Sequence, residues 1–220
     1  MKKIAIFGAG GFGREVAMLV GQINAVKPEW VLVGFFDDGF GKGTLVNGLP
    51  VLGGVADINA YPEQLYLVVA LGNPVAKKKI ISLVTNEQIA YATLIHPNVQ
   101  LGDSAWVTIG EGSIITAGCV ITVNISIGRH VILNLGCTVG HDTVIGDYAS
   151  FMPGVNISGE VIIEEGVYTG TGAKIINQLT IGSNTIVGAG AVVSRSLPAS
   201  CTAVGIPAKP IKFHEEKATN

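Results

Sequence analysis

Residues 109–150 read in sixes as IGEGSI, ITAGCV, ITVNIS, IGRHVI, LNLGCT, VGHDTV and IGDYAS. The first place of every hexad is aliphatic, and the row runs on through Phe151, Ile157, Ile163, Ile175, Ile181, Val187 and Val193, broken only by Thr169. A second row, two residues earlier, is mostly small or β-branched, as at Ser113, Cys119, Ile125, Val131, Cys137, Thr143, Ala149 and Val155. Neither the 3.6-residue period of a helix nor the 2-residue alternation of a strand accounts for so long a pattern. A hexapeptide repeat does. Each unit supplies a short strand and a corner, and three units, about 18 residues, close one triangular coil of a parallel β-helix. First-row side chains then point inward and stack on their counterparts one coil away, roughly 4.8 Å along the axis. Glycine follows the first-row residue at Ile109, Ile127, Val139, Ile145, Ile181 and Val187, where it is expected to supply a positive φ at the turn. The row makes about five coils.

Outside this run the pattern changes. Ile95, Leu101 and Val107 fall in the register of the second row, so a slip is expected near Trp106. Downstream, Pro198, Pro207 and Pro210 are expected to end strand pairing, and the polar tail from His214 to Asn220 to fray. Upstream, Lys2–Phe7 reads as a strand leading into Gly8-Ala9-Gly10-Gly11-Phe12-Gly13. The pattern continues as a helix over Arg14–Val26 and a strand over Trp30–Phe36 that ends in Asp37-Asp38. A short strand near Leu49–Leu52, a buried strand over Leu65–Leu71, a helix over Pro74–Thr85 and a strand over Tyr91–Ile95 follow. This alternation describes a small, mostly parallel α/β domain over residues 1–96, with the prism occupying 97–220 and the junction at His96-Pro97.

Gly8, Gly10 and Gly13 match the dinucleotide fingerprint in its strand-to-helix setting, with an acidic pair some two dozen residues later. The domain nevertheless has room for only about half of a doubly wound sheet, and a β-helix offers nothing to hydride transfer. What the loop retains is a glycine-rich helix N-terminus suited to a phosphate or pyrophosphate.

Charged residues make up 14% of the chain and the formal charge is −2, so no electrostatic case exists for nucleic acid or an anionic membrane surface. No run reaches transmembrane length. Residues 1–20 lack the layout of a signal peptide, and three cysteines make no disulfide framework; a cytoplasmic location is expected. Cys119 and Cys137 should stack as small buried side chains.

The ordered set Gly8–Val16, Phe36-Asp37-Asp38, Leu71-Gly72-Asn73, His96-Pro97, Asn134, Gly140-His141-Asp142, Pro153-Gly154 and Val204-Gly205-Ile206-Pro207-Ala208-Lys209 covers nearly the whole chain. It resembles the bacterial nucleotide-amino-sugar N-acetyltransferases and the sialic acid O-acetyltransferase-like proteins, which are hexapeptide-repeat acyltransferases. The resemblance implies a Rossmann-like half-domain that holds a nucleotide-sugar, followed by a left-handed parallel β-helix. It also implies a homotrimer with acetyl-CoA as co-substrate in the grooves between prisms, and no metal. Carried over residue by residue, it makes His141 the general base, Asp142 its carboxylate partner and Asn134 a nearby active-site residue. Gly10, Gly11, Phe12, Gly13, Asp37, Asp38, Asn73 and Ser150 fall at substrate-binding places. Gly159, Lys174, Ile206 and Lys209 fall at acetyl-CoA-binding places, with the Gly159 amide meeting the thioester carbonyl. Relatives often carry histidine and lysine where this chain has Phe12 and Arg14, and some carry a second prism histidine at Ser150.

The repeat agrees with this placement. His141 and Gly159 are 18 residues apart and so share a corner on adjacent coils, about 5 Å apart at the backbone. Neighbours on a corner do not ordinarily face each other, which leaves Glu160, one coil above Asp142, as the alternative partner of the base. His130 reads as a surface residue, His96 as punctuation between domains and His214 as tail. Lys174, Arg195, Lys209 and Lys212, on or beyond the last coils, are candidates for CoA phosphates. The leading expectation is acetyl transfer from acetyl-CoA to an amine on a nucleotide-linked sugar, most simply a UDP-sugar. O-acetylation of a sugar or sialic acid, or non-catalytic nucleotide-sugar binding, are the alternatives. A prism-type carbonic anhydrase would need three histidine ligands, and the prism offers only His130 and His141.

Overall fold

The computed structural model describes residues 1–103 and 105–214. They form two compact units, Met1–Pro97 with Glu111–Ser113, and Asn98–Gly110 with the chain from Ile114 onward.

The first unit is a four-stranded parallel sheet with helices between its strands. Its elements are β1 (Lys2–Phe7), α1 (Gly11–Val26), β2 (Trp30–Phe36), the short antiparallel pair β3 (Leu45–Val46) and β4 (Leu49–Pro50), α2 (Val55–Asn59), β5 (Leu65–Val69), α3 (Pro74–Leu83) and β6 (Ile89–Tyr91). The sheet order is β2-β1-β5-β6. The central strands β1 and β5 are buried almost continuously, as strands covered on both faces must be, and Ala5, Phe7, Phe36, Ile58, Leu65, Leu67 and Val69 form one core cluster. Three features depart from the sequence reading. Helix α1 begins at Gly11 rather than Arg14, so the last glycines of the loop are its first turn. The elements β3 and α2 are too short to show a period. The final strand divides into Ile89–Tyr91 and Leu94–Ile95.

The second unit is a left-handed parallel β-helix. Gln100–Leu101, Val120–Ile121, Thr138–Val139, Asn156–Ile157, Lys174–Ile175 and Val192–Val193 stack on one face. Val107–Ile109, Ile125–Ile127, Val144–Ile145, Ile162–Ile163 and Thr180–Ile181 stack on the next, and Ile114–Ile115, Ile132–Leu133, Ser150–Phe151, Tyr168–Thr169 and Ile186–Val187 on the third. Each strand pairs with the one 18 residues on, as in Thr138↔Asn156 and Val144↔Ile162. The first coil differs: Leu101 pairs with Ile121, whereas Val107 pairs with Ile125. Two extra residues therefore lie between Leu101 and Val107, which is the slip that the sequence places near Trp106.

The corners correct the sequence reading. Positive φ falls on the fourth place of the hexad and not on the glycine after the first-row residue. Asn124, His130, Asp142, Tyr148, Glu160, Gln178 and Asn184 all lie between 55° and 62°. The second-place glycine answers a different need, close approach: a Cβ on Gly140 would lie 2.6 Å from the amide nitrogen of Gly159. Second-row donors face inward to corner carbonyls fifteen residues ahead. Cys119 Sγ donates to the Asn134 carbonyl at 3.3 Å, Cys137 Sγ to Met152 at 3.3 Å and Thr143 Oγ1 to Ser158 at 3.2 Å. Both cysteines are buried and unbridged.

Two more expectations are overturned. The prolines do not end pairing. Cys201–Gly205 adds to the face of Ile186–Val187 and then folds into an antiparallel hairpin with Ala208–Phe213. Pro207 lies in the hairpin turn, and Pro210 is tolerated because its strand is the sheet edge. His130 is not at the surface. It is 3% exposed, with its ring stacked 5.6 Å from that of Tyr148 at the same corner one coil on. His214 also pairs, its amide donating to the Ser200 carbonyl at 2.7 Å and its Nε2 lying 2.9 Å from Thr202 Oγ1; the rest of the tail lies outside the described residues.

Thr169, which breaks the inward row, is fully buried, and its hydroxyl has no partner among the described residues. Thr169→Val removes an unsatisfied polar group at constant volume, and is expected to stabilise the protein by about 1–2 kcal/mol. An upward shift of the urea midpoint with an unchanged slope would show it.

Candidate active site

The strand Thr138–Val139 enters its corner through Gly140, and His141 and Asp142 form the turn. The imidazole and carboxylate side chains are 58% and 49% exposed. His141 Nδ1 lies 2.8 Å from Asp142 Oδ2. This contact between sequence neighbours exists because Asp142 is left-handed, with φ 58°, a conformation that aspartate tolerates better than most side chains. It swings the carboxylate back beside the ring. The other carboxylate oxygen, Oδ1, accepts from Asn124 Nδ2 at 2.9 Å. Hydrogen bonds from Asn124 and then from His141 hold the Asp142 carboxyl below the usual carboxylate range. Glu160, the alternative partner, is instead engaged by Gln178, whose Nε2 donates to Glu160 Oε2 at 3.2 Å.

With Nδ1 facing a carboxylate, the neutral imidazole carries its proton there and Nε2 is an acceptor. No described residue occupies Nε2. The ring lies over Gly159: a Cβ at that position would sit 2.5 Å from both Cε1 and Nε2 of His141. Gly159 is buried, and its N–H has no partner among the described residues. Amides at the same place in other hexads show what this position takes. The Arg129 N–H donates to Asp147 Oδ1 and the Ser183 N–H to Glu164 Oε2, both at 2.8 Å.

Other residues singled out in the sequence are placed differently. Asn134 occupies another corner, 6% exposed, with its Oδ1 capping the Leu135 amide at 2.7 Å, and no hydrogen bond joins it to His141. Ser150 is fully buried in its strand between Ile132 and Tyr168, which removes it from the surface that a sugar can touch. Lys174 donates to Asn156 Oδ1 at 3.0 Å, and Asn156 in turn to Thr138 Oγ1 at 3.0 Å, a polar ladder on the face that feeds the His141 corner. Ile206, 78% exposed, and Lys209 lie at the turn of the C-terminal hairpin.

In the first unit, Gly10 and Gly11 open to empty space at the N-terminus of α1, which has no side-chain cap. The first-turn amides are thus available to an anion. Gly13 serves packing, since a Cβ there would collide with the Gly8 carbonyl. Phe12 is half-buried in the first turn. Asp37 Oδ2 accepts from the Ala9 amide at 2.8 Å and Asp37 Oδ1 from Gly39, tying the glycine loop to the end of β2. Asp38 Oδ1 accepts from the Val55 amide at 2.9 Å, and Asn73 Oδ1 caps α3 through Ala76 at 3.0 Å. Among the described residues, no three His, Cys, Asp or Glu side chains converge on a metal position, and no helix is long and apolar enough to cross a membrane.

Sequence reasoning missed Asn124. The signal was present, because Asn124 is 18 residues before Asp142 and so stands directly beneath it.

Residues 3–84 match the PglD N-terminal domain model, and residues 160–195 match the bacterial transferase hexapeptide model. The structure of WeeI from Acinetobacter baumannii AYE is 38% identical, with a TM-score of 0.86 over 96% of this chain and all of that one. The chain belongs to the hexapeptide-repeat acyltransferases, in the group of nucleotide-amino-sugar N-acetyltransferases and sialic acid O-acetyltransferase-like proteins. The acetyltransferase domain of PglB from Neisseria gonorrhoeae FA1090, solved in complex with acetyl coenzyme A, is 33% identical, with a TM-score of 0.83 over 96% of this chain and 99% of that one. The GDP-perosamine N-acetyltransferase of Escherichia coli O157:H7 is 36% identical over 128 residues, 56% of this chain and 55% of that protein. The match thus spans about half the length of this curated relative.

Gly159→Ala is expected to leave the coil folded and push the imidazole aside, because the obstructing atoms belong to a rotatable side chain. Loss of the Asp142-bonded Nδ1–H signal in 15N–1H spectra, with an unchanged melting temperature, would report it.

Proposed function

We propose that the protein transfers the acetyl group of acetyl-CoA to an amino group on a nucleotide-linked sugar. The observation that carries this reading is the corner itself: an imidazole whose Nδ1 is committed to a carboxylate and whose Nε2 lies beside an unpartnered backbone amide. As the neutral amine attacks the thioester carbonyl, Nε2 accepts the proton that nitrogen must lose. The carbonyl oxygen becomes an oxyanion within reach of the Gly159 N–H. Collapse breaks the C–S bond, and the imidazolium returns its proton to the departing CoA sulfur. Asp142 stabilises the imidazolium without itself taking the proton.

The glycine loop of the first unit supplies the other requirement, a seat for phosphate. Open amides at Gly10 and Gly11, on a loop braced by Asp37, suit a nucleoside diphosphate. The sequence alone favours UDP; the GDP-perosamine enzyme among the relatives makes guanosine an equal candidate for the carrier. Lys174, Ile206 and Lys209, together with Arg195 at the His141 corner three coils on, fit acetyl-CoA running parallel to the prism axis toward the hairpin. A groove for it calls for a second prism, hence a homotrimer, and the substrates are those of a cytoplasmic enzyme.

The test mixes the protein with acetyl-CoA and a panel of UDP-, GDP- and dTDP-linked amino-sugars and follows CoA thiol release. The expected result is acceptor-dependent release that falls by about 10²–10⁴ in His141→Ala, the usual share of a general base. Release undiminished in that variant would remove His141 from the mechanism. Activity only on hydroxyl acceptors would convert the reading to O-acetylation.

A further inference from the structure

The corner that bears His141 carries a column of four left-handed residues one coil apart: Asn124, Asp142, Glu160 and Gln178, with φ of 55°, 58°, 59° and 62°. Chemically the column reads amide, acid, acid, amide. The two acids stand on neighbouring coils, yet each turns to the amide on its far side. Asn124 Nδ2 donates to Asp142 Oδ1 at 2.9 Å, and Gln178 Nε2 donates to Glu160 Oε2 at 3.2 Å. Only Asp142 has an oxygen left for the imidazole, and it meets Nδ1 at 2.8 Å.

The Asp142 carboxylate is half exposed. In such a setting an ion-pair contact contributes little order of its own, because water screens it and the side chain is free to turn. A carboxamide fixed one coil below changes this. It occupies Oδ1 and presents Oδ2 to the ring. An acid at position 124 could not do so without a proton, since it has no donor to offer Asp142.

We propose that Asn124 is a positioning residue for the acetyl transfer: it locks the Asp142 carboxylate in the orientation that holds His141 with its proton on Nδ1 and Nε2 ready to accept. The role rests on the reading of His141 as the general base. Asn124 touches neither donor nor acceptor and acts through Asp142 alone. The glutamate–glutamine pair above it repeats the chemistry without a histidine to serve, which makes Gln178 the matched control.

Asn124→Gly removes the carboxamide and keeps the left-handed backbone without strain. Gln178→Gly makes the same change two coils on. For Asn124→Gly, kcat is expected to fall about tenfold or more, as outer partners of a functional histidine do. KM for acetyl-CoA and for the amino-sugar should stay at wild-type values, which marks loss of an interaction used in the transition state. Gln178→Gly should retain wild-type kcat. Independently of turnover, 15N spectra should show His141 protonated on Nδ1 in the wild type and divided between its two nitrogens in Asn124→Gly. An unchanged kcat and tautomer in Asn124→Gly, alongside an inactive His141→Ala, would overturn the positioning role and leave the proposed function standing. Equal losses in both glycine variants would also overturn it, by tracing the effect to the corner backbone. A His141→Ala variant as active as wild type would overturn the base and, with it, any role for Asn124.

Discussion

Closure of each coil after 18 residues is the constraint on which the rest of the prism depends. Parallel strands of two residues gain almost nothing singly, and here each gains its place from the strands above and below. The inward aliphatic row, the close approach at Gly140 and the left-handed fourth place are three conditions of one geometry. Remove the close approach and the coils separate. Remove the left-handed corner and the chain cannot turn to the next face. Since side chains alternate across a strand, a count wrong by one residue would turn the core outward. The only place where the count departs from 18 is the first coil, between Leu101 and Val107, where the stack has a neighbour on one side alone.

The candidate site is a by-product of these same requirements. The second-place glycine lets the Gly159 amide come near, and the lack of a side chain at Gly159 leaves room for the imidazole. The left-handed fourth place then returns the Asp142 carboxylate to its own neighbour. Preorganisation is obtained from backbone that the solenoid has to build in any case. This explains how a half-exposed histidine and aspartate keep a fixed relation without the burial that usually enforces one.

Much of this was legible in the sequence, for physical reasons. A six-residue period over so many units has one structural solution, and the stacking of His141 on Gly159 follows from counting. What was not legible depended on φ. From spacing alone, Asp142 and Glu160 were equal candidates for the partner, and the sign of φ at position 142 decides between them. The same cause hid His130, whose left-handed corner tucks its ring under Tyr148. Asn134 and Ser150 came from family resemblance, and in this chain their side chains serve a corner amide and a buried strand. In the first unit, Asn73 and Asp38 were read as ligand contacts, but both spend an oxygen on a helix N-terminus.

The inward thiols carry a consequence of another kind. Cys119 and Cys137 lie in coils near the start of the stack and Cys201 in the last strand to join it, and all three are buried and unbridged. A solenoid opens from its ends, each coil relying on its neighbours. Three otherwise identical sulfhydryls therefore sit at three depths of a structure that frays in order. Their rates of reaction with a small alkylating reagent would read out, residue by residue, how far along its axis the prism comes apart.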